Sequence, residues 1–358
     1  MRKLLVLLLL IWCIVPACAA EIPQDLTDAI PDSARELLDD TDKADSFTSL
    51  TDGLSGLWNR TCKLLVVTVQ DSLGGVILVL SAILLCSVAE DCFGAAGGKV
   101  FDPVPLVGTL VILLAVGSNM KNLMGLGEET IQELNVFSKA LLPTLSAATA
   151  AGGGAVAASV RQVATVFFSD LLMSLIHSLL LPLVWVFVAL SATDAILPAG
   201  RLGGIARGLQ KGITWLLSGS LLLFTGYLSL SGAFASSADN LTLRMTRSAI
   251  GGAIPVVGSI ISDAADTILA GAGVLKQSVG VLGTLTILAA CILPFLKLGV
   301  QYLLLKLSAF FAATVAPEPL VKLVDALSTA FGLVLGMTGA AAALLLISVA
   351  SSVMVVSV

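Results

Sequence analysis

Several stretches of roughly 18 or more residues pass without a single charge, among them those from Ser72 to Ala89, Val279 to Leu296 and Phe331 to Val353. That is the length a helix needs to cross about 30 Å of hydrocarbon. Such runs leave the chain few ways to fold in water. Only 12% of its 358 residues are charged and 57% are hydrophobic, where a soluble domain carries about 25% charged residues. Lipid is therefore the expected solvent. With 33 glycines and many alanines, close approach of helix backbones is expected inside a bundle.

The fold class read from these features is all-α, a polytopic transmembrane helical bundle of about 7–9 spans. Clear spans cover about 72–89, 104–118, 171–191, 213–234, 279–296, 298–315 and 331–353, and two weaker ones lie near 140–160 and 250–275. Residues 121–140, carrying Glu128, Glu129 and Glu133, read as an amphipathic helix. The Ala/Gly/Ser tract from Ser146 to Ser159 is expected to pack inside the bundle or to re-enter.

Before the spans come two other segments. Arg2 and Lys3, an apolar run from Leu4 to Val15, then Pro16 and Ala17-Cys18-Ala19-Ala20 have the order of a secretory signal peptide over 1–20. A lipidated Cys18 and an uncleaved anchor are the alternatives. From Glu21 to Arg60 the chain holds ten acidic and three basic residues. Residues 21–62 are thus expected to form an acidic extracytoplasmic segment, solvated or serving to dock a partner. Leu26, Ile30, Leu37 and Leu38 fall near helical spacing within it. The transmembrane domain would occupy 63–358. Cations at Arg201, Arg207 and Lys211 favour a cytoplasmic position, but so do Arg244 and Arg247 across the next span, which leaves the topology open.

Proline motifs recur in order. Pro105-Leu-Val-Gly108-Thr109 resembles Pro255-Val-Val-Gly258-Ser259, and each is followed about forty residues later by a second, at Pro143 and Pro294. This suggests two duplicated halves, 100–237 and 250–358, with broken or re-entrant helices lining a path as in transporters. Chance recurrence in an apolar chain is the alternative.

Little here points to catalysis. One histidine, His177, sits within a span, either as a packing residue or as a proton relay, and Asp170 lies two helical turns earlier on the same face. Asp263 and Asp266 form an i, i+3 pair that could hold a cation, carry protons or mark a wet helix end. Lys276 and Lys297 read as snorkelling lysines, whereas Lys306 is the better candidate for a charge facing the bundle. The glycines before Lys99 imitate a phosphate loop, but Phe93 and Val100 stand where glycine and Ser/Thr are required. Cys62, Cys86, Cys92 and Cys291 have no metal-ligand spacing. No enzyme motif, cofactor motif or metal site is read, and without a basic stripe nucleic acid is not an expected partner. The candidate pathway residues are Asp170, His177, Pro255, Gly258, Asp263, Asp266 and Lys306.

Over roughly two-thirds of its length the chain resembles the stage III sporulation protein AE family. The passages that carry the likeness are Ser138-Lys-Ala-Leu-Leu-Pro143-Thr-Leu145, Gly226-Tyr-Leu-Ser-Leu-Ser-Gly232 leading to Ala238-Asp239-Asn240 and Arg244, and Ile254-Pro-Val-Val-Gly258 with Ser262-Asp263-Ala-Ala-Asp266-Thr267. It continues through Gly280-Val281-Leu282-Gly283 and Leu293-Pro294-Phe295-Leu296-Lys297. The resemblance implies a multi-pass protein of the mother-cell membrane around the forespore, acting in endospore formation. It implies partners encoded in the same operon, including an ATPase and ring-forming proteins, in a channel or secretion-like complex between the two cells. Self-association is open. It supplies no catalytic residues. An ion-coupled transporter using Asp170, Asp263 or Asp266 and a non-transporting scaffold remain the alternatives.

Overall fold

In the computed structural model the described residues are 24–39, 50–95, 104–197, 202–253 and 258–354. Helix α1 is Gln24–Asp28 and α2 is Asp32–Asp39. The long helices are α3 (Leu50–Ala95), α4 (Val104–Ala151), α5 (Ala155–Leu175) and α6 (Leu181–Ile196), with a π-helical turn at Ile176–Leu180 between the last two. Then come α7 (Gly203–Ala253), α8 (Gly258–Ala312) and α9 (Glu318–Met354). The described residues hold no strand. A helix satisfies every backbone donor and acceptor within itself, which is what an apolar solvent demands of a spanning chain.

Among the described residues six helical runs are long and apolar enough to cross a membrane: Leu54–Glu90, Val104–Ala151, Ala155–Ile196, Gly203–Ser231, Ala270–Ala312 and Glu318–Val353. The chain is a helical membrane bundle, and within its described residues the spans are longer than expected. The expected spans at 279–296 and 298–315 are one helix, α8, which continues through Pro294 and Lys297. Its 55 residues extend ~82 Å at ~1.5 Å per residue, far beyond one hydrocarbon layer. The expected span at 104–118 and the amphipathic helix at 121–140 likewise join in α4, with Pro143 inside it. A proline removes one helical hydrogen bond, and neighbouring helices packed around it hold the helix together.

The Ala/Gly/Ser tract packs inside the bundle as expected, with Ala148, Thr149, Ala157 and Ala158 buried. It holds the turn between α4 and α5. Gly153 takes φ 87°, the left-handed region that favours glycine. Its N–H bonds the Ala150 carbonyl at 3.0 Å and that of Gly154 bonds the Thr149 carbonyl at 3.0 Å. These are the paired bonds of a Schellman stop. Of the proline breaks, residues 254–257 with Pro255 lie outside the described residues, and Gly258 opens α8.

The acidic segment is only partly separate from the bundle. Residues 1–23, where the leader falls, lie outside the described residues, but α1 and α2 rest on the long helices. Leu26 and Ala34 are fully buried, and the Ser33 hydroxyl donates to Glu133 Oε2 at 2.8 Å. Helix α3 runs unbroken across the expected boundary at residue 62. The apolar side of an amphipathic turn explains the seating: burying it, α1 against α4 and α2 chiefly against α8, removes it from water.

At the centre, α8 and α9 pack most extensively, with α4 and α3 against α8 and α5 against α4 and α7. Large side chains such as Phe137, Phe224 and Phe331 are fully buried. Glycines admit the closest approaches: Gly283 against Leu141, Gly127 against Val334, Gly280 against Val353, and Gly108 against both Leu320 and Cys86. Small residues at such crossings let helices meet where no water-driven force presses them together.

Candidate functional site

The polar side chains that the bundle brings together lie mainly along the contact of α4 and α5. Positions 128, 132, 135 and 139 of α4 are spaced four, three and four apart, so they share one helix face. Three of them meet the antiparallel neighbour in sequence. Glu128 Oε1 stands 2.6 Å from His177 Nδ1. Ser169 Oγ donates to Asn135 Oδ1 at 3.2 Å. Lys139 Nζ lies 3.6 Å from Asp170 Oδ1. From Glu128 to Lys139 the seam covers ~16 Å along the helix axis.

The local sequence explains how His177 reaches the seam. Pro182 has no N–H to offer the carbonyl of Ser178, four residues back, and its ring would crowd that carbonyl. The chain widens instead into the π turn, where the N–H of Leu181 reaches the carbonyl of Ile176. Such widened turns re-aim side chains and recur at functional positions.

The seam is half open. Side-chain exposure is 56% for Lys139 and 53% for Asp170. On an isolated bundle in lipid this outward ion pair would be costly, so it belongs against water or another protein. Behind Asn135 and Ser169 lies a small recess closed by Ala341, Leu344 and Leu345 of α9, with room for about one water molecule.

Asp170 and His177, expected on one face, do share the seam, but each pairs with α4 rather than with the other. Lys306 does not face the bundle interior. It is half exposed and bridges the α8–α9 hairpin to Asp325 at 2.6 Å. Asp263 and Asp266 lie near the start of α8, with side chains outside the described residues, and Pro255 lies outside them altogether. The described residues contain no group of three His, Cys, Asp or Glu side chains able to hold a metal.

Sequence reasoning misplaced a second lysine. Lys276 does not snorkel: it is 3% exposed, and Arg161 is equally buried. Arg161 Nε donates to Ser351 Oγ at 3.1 Å, and Thr165 and Ser348 hydroxyls meet at 2.6 Å one turn along. Arg161 was not singled out in the sequence. The signal available was its isolation, as the only charge between Lys139 and Asp170.

Over residues 34–357 the chain matches the family model described as Stage III sporulation protein AE. Among curated proteins it is similar to the Stage III sporulation protein AE of Bacillus subtilis (strain 168), with 29% identity over 223 residues. That match covers 62% of this chain and 56% of the relative, a little over half of the relative's length. No solved structure matches.

Proposed function

Because the chain belongs to the stage III sporulation protein AE family, we propose that it is the membrane-embedded, permease-like conduit component of a complex joining mother cell and forespore. Its place is the mother-cell membrane around the forespore, with the acidic N-terminal segment on the extracytoplasmic side. Its partners are other stage III proteins, including an ATPase and ring-forming proteins, and further copies of the chain. The ATPase supplies the energy; this chain supplies the passage and no chemistry.

The observation that carries this reading is the half-open α4–α5 seam. The interior of the bundle is filled by side chains such as Phe137, Phe331 and Met337. A path therefore runs along the outside of this chain, against a partner or a second copy, with Glu128, Gln132, Lys139 and Asp170 on its wall. The two proline-bearing helices α4 and α8 are the corresponding members of duplicated halves, and they pack against each other.

The double variant Lys139→Met/Asp170→Met tests the reading. A half-exposed ion pair contributes only about 0–1 kcal/mol, so the protein should fold and still be recovered with its partners. Heat-resistant spores should nevertheless be lost. Normal spore yield would remove the seam from the path. Loss of partner recovery together with spores would favour a scaffold.

A further inference from the structure

Among the described apolar runs, that of α7 is the least buried. Its first turns carry two cations that the seam does not use, Arg207 and Lys211, and both are exposed. Arg207 Nε donates to the Gly203 carbonyl at 3.1 Å, which lays the side chain along the helix. Neither cation has a carboxylate partner among the described residues. The carboxylate nearest in sequence, Asp194, accepts instead from the Leu202 N–H at 2.8 Å.

Positions 207, 211 and 215 are four apart and 222 is seven further on. One face of α7 therefore carries Arg207, Lys211, Trp215 and Leu222 in that order. Trp215 is 75% exposed and Leu222 73%, and the exposed Leu223 and Leu230 continue the apolar side. This is the order of a leaflet crossed from water inward. The two cations are ~6 Å apart along the axis, about the ~5–8 Å depth of one headgroup layer. An indole belongs at the boundary below it, and leucines belong among the acyl chains.

We propose that the first three turns of α7 form a docking face for anionic phospholipid headgroups, which anchors the α6–α7 end of the bundle in its leaflet. Unpaired cations at a membrane surface are drawn to anionic lipid. A zwitterionic headgroup carries its own cation beside its phosphate and satisfies them less well. An open helix face with glycines could also take a second copy of the chain, since no described atom stands within 4 Å of where a side chain would begin at Gly208 or Gly212. The charges decide against it. Two copies in one membrane share an orientation, so that contact would gather both pairs of cations at one level. The docking face stands whether or not anything passes along the α4–α5 seam.

The full-length protein in nanodiscs tests this, with Trp12, Trp58 and Trp185 replaced by phenylalanine so that Trp215 is the only indole. Phosphatidylglycerol and phosphatidylcholine with the same brominated acyl chains are compared as quenchers of its fluorescence. Phosphatidylglycerol should be preferred at Trp215 by about fivefold or more, the effect of a single cation near a membrane surface. The double variant Arg207→Gln/Lys211→Gln should lose the preference, whereas Arg207→Lys keeps the charge and should keep it. Both side chains are exposed, so these substitutions leave the fold intact. Equal quenching by the two lipids in the protein with both cations overturns the proposal. So does a preference that survives in the double variant. Absence of quenching by either lipid also overturns it, and assigns the face to a second copy or another protein.

Discussion

Gly283→Val should destabilise the bundle by about 1–3 kcal/mol, the range for forcing extra methyl groups into a packed core. A side chain at 283 would meet both terminal methyls of Leu141 within 3 Å, at 2.8 and 2.9 Å. Leu141 is fully buried on α4 and has nowhere to swing. Relief requires α4 and α8 to separate, which also loosens neighbouring contacts such as Gly127 on Val334. The same substitution at Gly108 should behave alike, because a side chain there meets Leu320 of α9 and Cys86 of α3. Gly208→Ala provides the contrast. Nothing lies within 4 Å of that position, and exchanging a helix-interior glycine for alanine favours the helix by about 1 kcal/mol. Unfolding titrations in mixed micelles should therefore show opposite signs for 283 and 208. Equal effects would mean that α4 and α8 do not approach as closely as described.

Phe331→Ala should lose a comparable amount for a different reason. Phe331 is a fully buried ring in α9. In a water-soluble core such a truncation costs about 3–5 kcal/mol, part of it from transferring the ring out of water. Lipid tails are as apolar as the core, so that part is largely missing here. What remains is the cavity: removing ~100 Å³ at ~24 cal/mol per Å³ gives about 2.4 kcal/mol. Trp215, 75% exposed, has no such cavity to leave, and Trp215→Ala should change unfolding little. Equilibrium unfolding of the two variants beside wild type measures both. A loss at Phe331 no larger than at Trp215 would contradict the buried position of the ring.

What the sequence made legible and what it did not follow from how each signal is encoded. Length and lack of charge identified the apolar helices, because a span is a local property of the chain. The same signal divided α8 at Lys297, since hydropathy falls there, whereas the helix continues because each backbone bond extends the one before it. The glycines at 152–154 read as weak hydrophobicity, although they are the stop between α4 and α5. Seven-residue spacing placed Asp170 and His177 on one face. It could not supply their partners, because Glu128 and His177 are 49 positions apart and meet only when two helices fold back on each other. Lys276 was misread for a related reason. Position near a helix end suggests an escape to the surface, but the folded bundle closes over it. The seating of α1 and α2 depended on long-range contacts of the same kind.

Thiol labelling along α4 tests the central claim that the seam faces water in the assembled complex. With the native cysteines replaced by alanine, Gln132→Cys stands exposed on the seam face, and Leu114→Cys replaces a side chain that is 80% exposed among the apolar residues of the same helix. In sporulating cells a water-soluble thiol reagent should modify position 132 and leave position 114 untouched. Protection of both positions in a complex that still supports spore formation would contradict a water-lined path along α4 and α5.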